Sequence, residues 1–177
     1  MVDHAALDAD QAVEELYAAH WRRLVRLSVL LVRDQGLAEE IVQDAFVAMH
    51  GRWSRLRDPD NALAYVRQSV VNRSRSALRH RGVVQRHAKR EAGLALVTDP
   101  GPEEGVAATH RRTAVLAALQ DLPRRQREVI ALRYYLDLSE AEIASTLGIS
   151  AGAVKSHASR GAAALRARLS DHLEDLR

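Results

Sequence analysis

Leu138-Ser139-Glu140-Ala141-Glu142-Ile143-Ala144-Ser145-Thr146-Leu147-Gly148-Ile149-Ser150-Ala151-Gly152-Ala153-Val154-Lys155-Ser156-His157 reads as two helices joined by a tight turn. Ser139 is a good N-cap, and Glu142 three residues later completes a capping box. Gly148 can take the left-handed conformation that closes the first helix, and Ser150 can cap a second one running through Val154 toward Leu165. Ile143, Ala144, Leu147, Ile149 and Val154 fall where the two helices would face each other, with Ala144 small enough for a close crossing. The polar face left over carries Gly152, Lys155, Ser156, Ser159 and Arg160. No Asp or Glu occurs between Glu142 and Asp171, which suits a helix laid against phosphates and base edges. The plainer alternative is an αα-hairpin packed in a bundle. Cap, turn glycine, apolar spacing and one-sided charge together favour a DNA-binding helix-turn-helix.

The chain has 177 residues, of which 47% are hydrophobic and 4% aromatic. That is enough for one ordinary domain or two small ones, and the Leu, Ala, Arg and Glu richness predicts an all-α fold. The formal charge is only +3, so the distribution of charge is more informative than the total. Cysteine is absent, which removes disulfides, thiol catalysis and thiolate zinc sites. Nothing resembles a signal peptide or an apolar run of about 20 residues, so no membrane partner is expected and the expected location is cytoplasmic.

Val13, Leu16, Tyr17, His20, Trp21, Leu24, Leu27, Ser28 and Leu31 recur at helical spacing and predict a long first helix ended by Asp34-Gln35-Gly36. A second helix is predicted from about Leu37 to Trp53, with Ile41, Val42, Ala45, Phe46 and Met49 buried. Glu40, Gln43, Asp44 and Val47 make an i, i+3, i+4, i+7 stripe on its other side. Residues Ser54 to Asn61 read as a loop followed by a cap, and a third helix is predicted from about Ala62 to Arg81, with Leu63, Tyr65, Val66, Val70 and Leu78 apolar. Between Asp60 and Glu91 there is no acid, whereas Arg67, Arg73, Arg75, Arg79, Arg81, Arg86, Lys89 and Arg90 accumulate. Natural helix surfaces usually mix signs, so this bias points to a polyanion. Thr98 to Gly105 has linker composition. After it, Val115, Leu116, Leu119 and Leu122 resume helical spacing, and Pro123 starts a helix through Val129, Ile130, Leu132 and Arg133.

The sequence holds no catalytic constellation, so no enzyme, cofactor or metal site is expected. Histidine spacing suits no metal motif, the glycines form no phosphate cradle, and Glu39/Glu40 and Glu103/Glu104 lack an evident pocket that would split their pKa values.

The residues nevertheless resemble a known pattern, that of bacterial RNA polymerase sigma factors of the extracytoplasmic-function (ECF) group. Ala38-Glu39-Glu40-Ile41-Val42-Gln43-Asp44-Ala45-Phe46 and Tyr65-Val66-Arg67-Gln68-Ser69-Val70-Val71-Asn72-Arg73 resemble sigma region 2. Leu122-Pro123, Arg127 to Tyr134 and the helix-turn-helix through Leu165-Arg166 resemble region 4. Trp53 to Asp60 followed by Ala64-Tyr65-Val66-Arg67 looks like the actinobacterial SigE-family subgroup. The resemblance implies a region 2-like domain over 10–90, a linker over 91–110 and a region 4-like domain over 111–173. It implies that Glu40, Gln43, Asp44 and Val47 dock on the clamp helices of the largest subunit of core RNA polymerase, with the polymerase flap as a further contact. It implies that Trp53, Arg55, Arg57, Asn61, Tyr65, Asn72 and Arg73 serve the minus-10 element of promoter DNA, with Trp53 and Tyr65 open to a core role instead. Gly152, Lys155, Ser156, Ser159 and Arg160 would read the minus-35 element. An anti-sigma factor is a further partner that many relatives have. Two departures are visible: His157 stands where arginine is common, and Ala158 and Ser159 are small where bulkier residues are common. A stand-alone helix-turn-helix regulator and a helical adapter are the alternatives. The first predicts tight duplex binding without polymerase, the second no salt-dependent DNA affinity.

Overall fold

Two residues, one of them left-handed, separate the first two helices. In the computed structural model, which describes residues 4–53, 61–87 and 106–174, α1 spans His4–Val32 and α2 spans Gln35–His50. Arg33 sits at φ +57° between them, and Asp34 accepts a 2.9 Å hydrogen bond from the Leu37 N–H. The expected start near Leu37 is therefore corrected: Gln35 and Gly36 form the first turn of α2, because Asp34 is an N-cap rather than part of a terminator. Arg81 of α3 (Ala62–His87) also donates to the Asp34 carboxylate. The Leu37 N–H first, and Arg81 second, hold that carboxyl below its ordinary range. At its other end α2 stops at His50, with Gly51 as C-cap, so the predicted extension to Trp53 becomes a turn.

The chain divides into two units, Met1–Leu94 and Ala95–Arg177. In the first, α1, α2 and α3 pack pairwise. Leu24, Leu27 and Leu31 of α1, Val42, Phe46 and Met49 of α2, and Val66, Val70 and Val71 of α3 form its core. The Ser28 and Ser74 hydroxyls lie 3.3 Å apart within it, so the polar positions at this α1–α3 contact satisfy each other. Leu63, Tyr65 and Leu78, expected as apolar positions, are only half-buried. The true seam of α3 runs through Ala62, Val66, Val70 and Ser74, one face of a 3.6-residue period.

The second unit contains α4 (Val106–Gln120), α5 (Arg124–Ile130), α6 (Glu140–Leu147) and α7 (Ala151–Glu174). Pro123 is the N-cap of α5, a place where its missing N–H costs nothing. The helix predicted to continue through Arg133 instead widens into a π turn over Ala131–Tyr135, and the Leu136 N–H reaches the Ala131 carbonyl at 3.3 Å. Asp137, at φ +57°, then turns the chain toward Ser139. Arg127 ties α5 to the end of α4 by donating to Gln120 Oε1 at 2.7 Å and to the Gln120 carbonyl at 2.9 Å. Glu128 is 2% exposed and accepts from Arg125 at 3.1 Å. Helices α5 and α7 cross closely at Gly161, where a Cβ would stand 2.8 Å from Ile130 Cγ1 and 3.3 Å from Gln126 Cβ.

Candidate nucleic-acid interface

The helix-turn-helix forms as its residues dictate. Ser139 Oγ accepts from the Glu142 N–H at 3.3 Å, and Glu142 Oε2 accepts from the Ser139 N–H at 2.9 Å, which completes the capping box. Gly148 takes φ +64°, and its N–H closes on the Ala144 carbonyl. Ser150 Oγ then accepts from the Ala153 N–H at 3.2 Å and starts α7. Ile143, Leu147 and Val154 are buried at the crossing, while Ala144 and Ile149 are half-buried.

Gly152, Lys155, Ser159 and Arg160 are exposed on α7 and Ser156 is half-buried. A Cβ at Gly152 would meet nothing closer than Ser150 Oγ at 4.0 Å, so packing does not require glycine there. His157 is half-buried, and its Nδ1 is shielded from solvent without a hydrogen-bond partner. Glu140 is a residue the sequence reading did not single out. Its Oε1 lies 3.3 Å from Arg133 Nη1 and its Oε2 lies 3.7 Å from Lys155 Nζ.

In the first unit, Arg52, Tyr65, Gln68, Ser69, Asn72, Arg73 and Ser76 line an open cleft of about 440 Å³. Three predicted minus-10 residues, Tyr65, Asn72 and Arg73, thus share one surface. Trp53 is half-buried in the turn after α2 and Asn61 is exposed just before α3; neither lines the cleft. Arg55 and Arg57, and the expected linker residues up to Gly105, lie outside the described residues, whereas Val106 to His110 are already helical.

Arg52 and the Gln68, Ser69 and Ser76 side chains were missed. The signal was present in part, since positions 65, 68, 69, 72, 73 and 76 repeat at helical spacing along α3. Arg52 joins from another element, with its guanidinium 6.0 Å from the Tyr65 ring centroid. Arg73 donates to Ser69 Oγ at 3.3 Å and to Asp44 Oδ2 at 2.9 Å. Arg75 donates to the Asn72 amide oxygen at 3.1 Å.

Glu40, Gln43, Asp44 and Val47 are all exposed along α2. Val47 is 65% exposed, unusual for a branched aliphatic side chain and apt for an interface. Phe46, on the buried side of α2, packs edge-on to Tyr17, which in turn stacks on Trp21 at 4.6 Å. His20 has a pKa lowered from its ordinary value by burial first and then by Arg23 and Arg67.

Comparison with known proteins gives the family of both units. Sigma-70 region 2 matches residues 16–83 and sigma-70, region 4 matches residues 112–165. The RNA polymerase sigma-E factor of Streptomyces avermitilis is 30% identical over 93% of this chain and 88% of its own length. The chain belongs to the RNA polymerase sigma factors. Its relatives include members named as ECF sigma factors, and it falls in that group. This sigma factor is also 30% identical to the probable RNA polymerase sigma factor RfaY of Xanthomonas campestris, spanning 42% of that longer protein and 94% of itself. Among solved structures, CnrH in complex with the cytosolic domain of CnrY matches with a TM-score of 0.66 at 25% identity, over 96% of this chain and 99% of that one. The sigma factor RpoE of Bartonella quintana, solved with the anti-sigma factor NepR, shares the fold with a TM-score of 0.75 at 21% identity, over 89% and 96% of the two chains. Sigma factors are transcription initiation factors that direct promoter-specific initiation. Among the described residues, no helix is long and apolar enough to cross a membrane.

Proposed function

We propose that this ECF sigma factor holds a promoter at two points while carried on core RNA polymerase in the cytoplasm. Residues 10–90 would bind core and the minus-10 element, residues 91–110 would link, and residues 111–173 would read the minus-35 duplex. The observation that carries this reading is the cleft that gathers Tyr65, Asn72 and Arg73 on α3. An aromatic ring, an amide and a guanidinium on one open surface suit an unstacked base and its backbone, since stacking is worth about 1–3 kcal/mol per base. Trp53, Arg55, Arg57 and Asn61 complete the proposed minus-10 set. Gly152, Lys155, Ser156, Ser159 and Arg160 form the proposed minus-35 set, with Lys155 and Arg160 reaching phosphate or guanine edges. Catalysis belongs to the polymerase, and no cofactor or metal has a role.

Glu40, Gln43, Asp44 and Val47 would dock on the clamp helices, an apolar contact set among specific polar pairs, with region 4 reaching the flap. The Asp44–Arg73 ion pair links this stripe to the cleft, so a variant at Asp44 disturbs both surfaces. An anti-sigma protein is a further proposed partner. CnrH, similar to this chain along nearly its whole length, was solved with the cytosolic domain of CnrY bound.

The test is promoter-specific transcription with reconstituted core polymerase. Glu40→Ala plus Gln43→Ala is expected to weaken core binding without touching the Asp44–Arg73 pair. Lys155→Ala plus Arg160→Ala should spare core binding and weaken promoter capture. Core polymerase that initiates equally well without the protein would sink the proposal.

A further inference from the structure

We propose that Glu140 is a specificity-determining residue of the duplex-reading surface: it holds Lys155 so that the ammonium serves a matched base-pair step and resists capture by arbitrary phosphates. The inference rests on the reading of α7 as the minus-35 helix. Glu140 opens α6, where an acid is favourable to the helix dipole in any case, and its side chain does more than sit there. One carboxylate oxygen is anchored by Arg133 at 3.3 Å, and the other faces Lys155 Nζ at 3.7 Å. The neighbouring acid, Glu142, is occupied by the cap of Ser139. Arg133 rises from the π turn and Glu140 follows the capped Ser139, so the carboxylate is held from two directions by elements outside α7.

A lysine on a recognition helix is ordinarily a free phosphate ligand, and four flexible carbons let it swing to the nearest one. Here a swing breaks the pair with Glu140 and leaves a carboxylate facing the phosphate. Binding to arbitrary duplex carries that penalty. A matched site that presents an acceptor where Glu140 already holds the ammonium keeps the pair and avoids it. Specificity gained by penalising the wrong site adds to whatever the right contacts supply. Lys155 is 69% exposed and Glu140 34%, so solvent screens the pair and the effect should be modest.

The experiment uses the full chain with core polymerase and two probes: a 30-base-pair duplex of arbitrary sequence, and a duplex library randomised over the upstream contact region. Glu140→Gln keeps the shape and removes the charge. It is expected to tighten the arbitrary duplex by about threefold and to flatten sequence enrichment across the library, with the melting temperature nearly unchanged. In a Lys155→Ala background the same substitution should change neither readout. The inference is overturned if Glu140→Gln leaves both readouts unmoved, or if it acts equally with and without Lys155, which would mark a diffuse field effect. If Lys155→Ala plus Arg160→Ala fails to weaken any duplex, the minus-35 reading itself has failed, and this outcome is separable from the others.

Discussion

The two candidate DNA-binding surfaces are built in opposite ways. The helix-turn-helix is a local object: Ser139, Glu142, Gly148 and Ser150 shape it through bonds spanning a few residues. The cleft on α3 is a tertiary object, combining side chains spaced along one helix with Arg52 from the turn after α2. Yet each presents a candidate DNA-binding cation already paired with one of the protein's own carboxylates, Lys155 with Glu140 at 3.7 Å and Arg73 with Asp44 at 2.9 Å. Local construction makes the first surface readable from spacing alone. The partners of both cations are legible only after folding, because Lys155 pairs across 15 positions and Arg73 across 29.

The contrast can be broken most severely in the cores. Leu27→Ala and Leu132→Ala each remove a fully buried side chain and should each cost about 2–5 kcal/mol. Amide exchange would show protection lost in α1 to α3 for the first and in α5 to α7 for the second. Next comes Gly161→Ala, which forces a methyl against Ile130. Overpacking of about 1–3 kcal/mol should outweigh the gain of up to about 1 kcal/mol in helix propensity, so chemical denaturation should show net destabilisation. A stabilised Gly161→Ala protein would mean that Ile130 yields at no cost.

Asp34→Ala removes an N-cap that also binds Arg81, at a cost of about 1 kcal/mol at neutral pH. It tests whether the first unit, too, depends on local punctuation. The smallest effect is a pH dependence. His20 titrates below its ordinary value in the folded chain, so between the two pKa values the unfolded chain holds the extra proton. Stability is then intact above the unfolded value of about 6.5 and declines as pH falls through it. His20→Gln should flatten that decline in thermal melts between pH 7 and 5.5, and an unchanged slope would count against the shift.

The α1–α2 break is signalled by Asp34, but an N-cap and a terminator use the same residue types, so the boundary was displaced by two residues. The π turn after Ile130 has no composition of its own; it is a register adjustment at the point where the chain leaves α5 and packs on α6. Gly161 looks like any glycine within a helix until Ile130 is placed beside it. Glu140 looks like an ordinary first-turn acid until Arg133 and Lys155 converge on it.

Helical class, capped turns, the acid-free runs after Asp60 and Glu142, and the order of the two sigma regions were all written in the residues. Each rests on backbone preference or on charge spacing within a turn or two, interactions that the chain carries before it folds. The cleft with Arg52, the Asp44–Arg73 pair, the Gly161 crossing and the grip of Glu140 on Lys155 depend on helices meeting at particular distances and rotations. Those distances follow from how whole helix faces fill space together, which one-dimensional spacing does not encode.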